Sequence, residues 1–226
     1  MTDHWIAVNK PSGMVVHKSR GANDRHTLVS VMRDHLGPDV FPVNRLDRQT
    51  SGIILMARDR DSARELSTAF AERAVFKTYE AVVRGWPPLP LGGEHVIERE
   101  LSGKPAYTRI ELVRKSLLEV SLGIHESTRL SRLRLFPKTG LTHQLRRHLR
   151  GWGYPIINDQ KHGDRNLNRA FQEQFKHKRM LLHSMALTFP FGGESHSVEI
   201  GWSGRGRGLL YHLGLMPEAA PEESEQ

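Results

Sequence analysis

Residues 44–52 read NRLDRQTSG, with one carboxylate, Asp47, between two guanidinium groups, Arg45 and Arg48. The apolar run IILMA (53–57) follows at once. A carboxylate at such a loop-to-strand junction is either a turn aspartate bonded to its own backbone or a nucleophile kept ionised by neighbouring cations. Gly52 allows close backbone approach there. A second chemistry-bearing group is THQLRRHLR (142–150). At helical spacing His143, Arg146, Arg147 and Arg150 share one face, and Leu145 and Leu149 form the opposite, inward stripe. That face reads as solvated basic surface or as phosphate contacts, and it can aim cations at a carboxylate.

Other chemistries find little support. The chain has no cysteine, which removes thiol nucleophiles, disulfides and cysteine-bound zinc. His143 and His148 stand five apart on different helix faces and lack the intervening glutamate of a zinc-protease helix, so no metal site is expected. GRGRG (204–208) reads as lacking the strand-before, helix-after setting of a dinucleotide fingerprint, and no Walker-type loop occurs. Ser51 is outside any nucleophile-elbow pattern.

The elements that must position these groups are of both kinds. WIAVN (5–9) reads as a buried strand stopped by the turn KPSG, after which MVVH resumes an extended run. TLVSVMRDHLG (27–37) predicts an amphipathic helix capped by Thr27 and stopped by Gly37, with Leu28, Val31, Met32 and His35 or Leu36 inward. A second helix over 62–73 follows IILMA, opened by Asp59 and Asp61 near its positive end. FKTYEAVVRGW (76–86) predicts a strand with Tyr79, Ala81 and Val83 on one face. Residues 87–104 read as a loop with a short strand, and SRLRLF (131–136) as a strand with a wet, basic face carrying Arg132 and Arg134. HSMALTF and SHSVEIGW flank PFGGE as a hairpin. Without regular βαβ repetition the expectation is α+β around a mixed, mostly antiparallel sheet. One domain is expected over 1–216, with an acidic disordered tail over 217–226.

Charge narrows the partner. The net charge is +8, and setting aside the tail's four glutamates raises it to +12. A field of that sign favours nucleic acid, while no long basic amphipathic helix or membrane-length apolar stretch suggests a bilayer. With no secretory signal visible, the expected location is the cytoplasm.

Five segments in order, VNKPSGMVVH (8–17), NRLDRQTSGIILMA (44–57), KTYEAVVRG (77–85), KTGLTHQLRRHL (138–149) and YPIINDQKHGD (154–164), resemble the successive motifs of RluA-type pseudouridine synthases. LLHSMALTFPF (181–191) resembles that family's C-terminal strand. The resemblance implies a pseudouridine synthase fold with an RNA-binding cleft. It also implies an enzyme that detaches uracil at N1 and rejoins it through C5, without metal or organic cofactor. It places the catalytic aspartate at Asp47, a base-stacking tyrosine that assists proton removal from C5 at Tyr79, and the aspartate's ion-pair partner at Arg146. Arg45 is implied to fill the space left by an extruded base, and Asn44, Arg48, His143, Arg147 and Lys161 to contact RNA. Asn44 stands where the family usually has histidine, and Leu141 where it usually has arginine.

The fourth motif, KHGDRNLNR (161–169) and the closing FPF are similar to the C-type tRNA pseudouridine synthases, which implies uridine 65 of tRNA as the target and a monomeric enzyme. RNLNRAFQEQF (165–175), with Lys176, Lys178 and Arg179, reads as a helix that either lies against stem RNA or is plain surface. Ribosomal RNA is the alternative substrate, and a non-catalytic RNA-binding module the alternative of another class.

Overall fold

The protein's structure is a computed structural model, in which residues 2–18, 26–122 and 126–216 are described. Its centre is set by the run that follows Asp47. In β3 (Ser51–Ala57) every residue from Gly52 to Ala57 is buried. A strand without polar alternation needs cover on both faces. Ile53, Leu55 and Ala57 pack with Leu66 and Ala69 of α2 (Arg60–Ala71), whereas Ile54 and Met56 pack with Leu28 of α1 (Leu28–Leu36) and with Val16, Val40 and Leu46.

The described residues form one nine-stranded sheet. β1 (Trp5–Lys10) and β2 (Phe41–Pro42) pair with β3; then follow β8 (Leu182–Phe191), β4 (Phe76–Arg84), β7 (Thr128–Pro137), β6 (Tyr107–Leu118) and β5 (Glu94–Glu98), while β9 (Glu194–Glu199) pairs with β8. Every pairing is antiparallel except β3 with β8, joined through Ser51↔His183 and Gly52↔Ser184. The fold is therefore α+β with a mixed, mostly antiparallel sheet. Close approach explains Gly52: a Cβ there would lie 2.2 Å from the Ser184 carbonyl oxygen, and its φ is +108°.

Local signals hold where caps are strong. Thr27 and Ser30 form a reciprocal capping box, and Gly37 ends α1 with φ 92°. Asp59 caps α2 through the Ser62 N–H, and Asp164 caps α4 (Arg165–Phe175). MVVH, however, joins no strand; the Val15 and Val16 carbonyls instead accept the first N–H groups of α1, Leu28 and Val29, at 2.9 and 3.1 Å.

Three expectations are corrected. The supposed wet face of β7 is covered at its Leu130 and Arg132 end, because Leu209, Leu210, Leu213 and Leu215, in and after α5 (Gly204–His212), pack there, while Arg134 stays partly exposed. Arg132 there donates twice to Glu80, at 2.9 Å each, and Trp202 Nε1 donates to the same carboxylate at 2.9 Å. GRGRG does follow a strand, β9, and opens a helix, α5; burial of the leucines overrides the low helix propensity of its glycines. THQLRRHLR becomes helical only from Gln144, as α3 (Gln144–Gly151), and its arginine face is solvated only in part, since Arg146 is buried with the leucines while Arg147 is half-buried and Arg150 exposed. The tail at 217–226 lies outside the described residues.

Glu80 is 1% exposed, so removing Arg132 leaves a buried charge with only Trp202 and the more distant Arg134, 3.8 Å away, as partners. Urea unfolding of Arg132→Ala should show a loss of about 3–5 kcal/mol. The double variant Glu80→Leu/Arg132→Leu, which leaves no orphan charge, should lose clearly less.

Candidate active site

Arg146 stands in the first turn of α3, with its guanidinium between two carboxylates. Nε and Nη2 donate to Asp159, at 2.7 and 2.8 Å, and Nη1 donates to Asp47 Oδ2 at 3.0 Å. Asp159, 1% exposed, also accepts the backbone N–H groups of Lys161 and His162 at 2.9 Å each. Burial alone would push the Asp159 carboxyl up; Arg146 and the His162 N–H outweigh it and hold it below the usual carboxylate range. Burial likewise opposes the charge of Arg146, and Asp159 and then Asp47 more than restore it.

The loop carrying Asp47 is tied down from below. Lys10, fully buried at the end of β1, donates from Nζ to the carbonyls of Pro11, Met14 and Arg48 at 3.0, 2.9 and 3.2 Å. The Gly13 N–H also reaches the Arg48 carbonyl, and Ser12 Oγ donates to the Gln49 carbonyl, both at 2.7 Å. Burial pushes the Lys10 ammonium down to about 8, against the pull of Asp47 and with a small contribution from Arg48. On the other side, Asn44 Oδ1 accepts the Leu55 N–H at 2.9 Å, fixing the loop to β3.

Asp47 and Tyr79 open onto one cleft of about 570 Å³, whose lining includes Arg45, Lys77, Lys138 and His143. Tyr79 reaches it because the β4–β8 register shifts between Thr78 and Tyr79, so that Tyr79 faces Ser184. Burial pushes its phenol up to about 12, with the Ser184 side chain opposing and the Asp47 charge adding. The cleft thus presents the Asp47 side chain, anchored by one guanidinium bond, beside a phenol that keeps its proton at neutral pH. Such a pair can engage an electrophilic carbon or a proton on one side and a flat ring on the other.

Residues 4–150 match the model of the RNA pseudouridylate synthase family. The chain belongs to that family. Among curated relatives, a tRNA pseudouridine synthase C from Yersinia pestis is 35% identical over 94% of this chain and 88% of its own. The protein of the same name from Vibrio cholerae is 34% identical over 94% and 93%. Human RNA pseudouridylate synthase domain containing 1 has the same fold, with a TM-score of 0.71 at 21% identity over 97% of this chain and 95% of that one. Human RNA pseudouridylate synthase domain containing 4 gives 0.70 at 24% over 95% and 91%.

In this pseudouridylate synthase the sequence-predicted residues fall into two groups. Asp47, Tyr79, Arg146, Arg45, Asn44 and His143 come together at the cleft. The other three do not line it. Arg48 is exposed and lends its carbonyl to the floor; Arg147 donates to Ser102 Oγ at 3.1 Å; Lys161 lies in a neighbouring notch with Arg150 and Arg165. Leu141, the other departure from the motifs, lines the cleft. Sequence reading missed Lys10, Asp159 and His162, although each lies inside a quoted motif, and Lys77, which partly buried itself faces the cleft near Arg73.

Lys10 gives this synthase a pH signature. Its folded pKa lies below its unfolded value, so between about pH 8 and pH 10.4 the unfolded chain binds the extra proton and this group's contribution to stability rises with pH. Its cost is fully present below pH 8. Denaturant unfolding should therefore show wild type gaining on Lys10→Met across that window, by at most about 1.4 kcal/mol per pH unit.

Proposed function

We propose that this synthase converts a uridine of tRNA to pseudouridine, with uridine 65 as the target, acting as a cytoplasmic monomer through a single catalytic domain over 1–216. The observation that carries the catalytic assignment is the Arg146 bridge, which anchors Asp47 by one oxygen at the edge of a cleft shared with Tyr79. The tRNA assignment is supported by the curated relatives from Yersinia pestis, Salmonella typhi and Vibrio cholerae, each named tRNA pseudouridine synthase C.

Asp47 acts at the ribose or base of the target. Arg146 holds it in place through the Nη1 hydrogen bond to Oδ2. A uridine within a stem must first leave the stack, at a cost of roughly a few kcal/mol. Arg45, exposed at the cleft, supplies a flat cation that can occupy the vacated space. Tyr79 stacks on the extruded base. A phenol at about 12 keeps its proton at neutral pH, which favours stacking and donation over removal of the C5 proton. Recognition of the stem rests on phosphates, 2′-hydroxyls and shape, and needs neither metal nor organic cofactor. Asn44, Arg48, Arg147 and Lys161 are the further candidates for RNA contact.

The test is carbodiimide labelling with primer extension on total tRNA and rRNA, incubated with wild type or Asp47→Ala. An Asp47-dependent stop at uridine 65 of tRNA is the expected result, with RNA affinity of the variant within a few-fold of wild type. A stop only in rRNA overturns the substrate, and equal stops with both proteins overturn the role of Asp47. No Asp47-dependent stop in either pool favours the non-catalytic RNA-binding reading.

A further inference from the structure

His143 immediately precedes α3 with φ 54° and ψ 27°, a left-handed backbone in a residue that carries a side chain. The side chain at this position normally caps the helix, but His143 makes no cap bond. Its ring is committed elsewhere: Nε2 lies 3.8 Å from Asp47 Oδ2, and Nδ1 lies 2.8 Å from His162 Nε2. Uncommon backbone conformations persist where surrounding contacts over-determine them, and they cluster at functional sites.

The contact with His162 restricts the one with Asp47. In an N–H···N bond one ring donates and the other accepts. Were neutral His143 to donate from Nδ1, it would turn the bare lone pair of Nε2 on a carboxylate oxygen. When His162 donates from Nε2 instead, His143 accepts at Nδ1 and presents Nε2–H to Asp47. Only the second arrangement is favourable at both ends. The His162 backbone N–H is itself held by Asp159 Oδ1, the carboxylate that grips Arg146. Asp159 thus stands behind both groups that converge on Asp47 Oδ2. Asp47 Oδ1 accepts no hydrogen bond among the described residues.

We propose that His143 is a positioning residue for Asp47: its Nε2–H, in a tautomer selected by His162, steers Oδ2 toward the Arg146 side and leaves Oδ1 presented to the cleft. This assignment rests on the function proposed above. The 3.8 Å separation is longer than a hydrogen bond, so in the free enzyme the steering is electrostatic and tightens with a shift of an ångström or less. The charged groups facing the pair are Asp47 from the loop before β3, Arg146 from α3, and Asp159 and Lys161 from the turn before α4. Burial holds both imidazoles below the usual histidine range, so both are neutral at pH 7.5, where tautomer choice governs the contact.

The experiment is ¹⁵N NMR of the histidine rings in the free, full-length protein at pH 7.5, joined to single-turnover kinetics and RNA affinity. Wild-type His143 should carry its proton on Nε2, and His162→Phe should convert it to a mixture of tautomers. His143→Asn, which tolerates the left-handed backbone, should lower the single-turnover rate about 10- to 100-fold, the scale of an ångström-size misplacement of a reacting group. Its RNA Kd should stay within about two-fold and its Tm near wild type. His143→Gln, whose amide N–H reaches the place of Nε2–H, should recover part of the rate. An Nδ1-protonated His143 in the wild type overturns the proposal. So does His143→Asn turning over within about three-fold of wild type, or losing as much in Kd as in rate, which marks a phosphate contact. Wild type that forms no pseudouridine in RNA sinks the functional reading instead, while the ring spectra still decide the tautomer.

Discussion

A guanidinium has two edges, and the geometry of this site depends on which carboxylate takes which. Asp159 takes the Nε and Nη2 edge of Arg146 with both its oxygens, leaving Nη1 alone for Asp47. Without Asp159 the fork would be free to close on Asp47 and occupy both of its oxygens, as bidentate arginine–carboxylate pairs do. The buried carboxylate therefore anchors Arg146 and also limits it to one bond with the carboxylate at the cleft. A lysine carries its three donors on one atom and offers no rigid planar edge with which to grip one carboxylate by both oxygens while reaching a second. The same division settles the charge. Arg146 is buried deeply enough that it needs a partner inside the protein, and Asp159 supplies one whatever occupies the cleft.

The sheet brings these parts together from distant stretches of chain. β3, β8 and β4 are neighbours, so the loop before β3 (Asp47), the start of β8 (Ser184) and the middle of β4 (Tyr79) meet at one place. The turn that carries Asp159 hangs from the same strand as Tyr79. Ile156 bridges Val83, and the Ile157 N–H and Val82 carbonyl are 3.0 Å apart. A displacement of β4 would therefore move Tyr79 and, through Asp159, Arg146 together. Lys10 does for the loop before β3 what Asp159 does for the guanidinium. Its three bonds to backbone carbonyls take up acceptors that an irregular buried segment could not satisfy with a ladder.

What was legible in the sequence was what short-range chemistry decides. Thr27, Gly37 and Asp59 mark helix ends because capping is settled within a few residues, and Tyr79, Ala81 and Val83 share a face because a strand alternates. Gly52 marks a place of close approach, and the Ser184 backbone is what approaches. The errors are long-range. Arg132 alternates with leucines as an exposed residue would, and only Glu80, 52 positions away, and the leucines around α5 bury it. Asp159 looks like a turn aspartate, and it is one, since it accepts the N–H groups of Lys161 and His162; nothing local shows that it also grips Arg146. Lys10, beside a Pro-Ser-Gly turn, has the composition of a surface lysine. Motif resemblance supplied Asp47, Tyr79 and Arg146, which spacing alone left undecided between structure and chemistry.

The cations divide by partner, so that a basic composition makes an attractive cleft and not merely a basic surface. Lys10, Arg132 and Arg146 are spent inside the fold on carbonyls and carboxylates. Arg45, Arg73, Lys77, Lys104 and Lys138 line the cleft, and none of the five makes an ion pair among the described residues. Burial and then the charge of Arg73 lower the pKa of Lys77, so the cleft holds like charges at a cost. A polyanion entering the cleft relieves that cost, while the internal cations, already matched, respond little to it. Uncompensated charge at the rim and compensated charge beneath it let the cleft attract a phosphate backbone without loosening the guanidinium that holds Asp47.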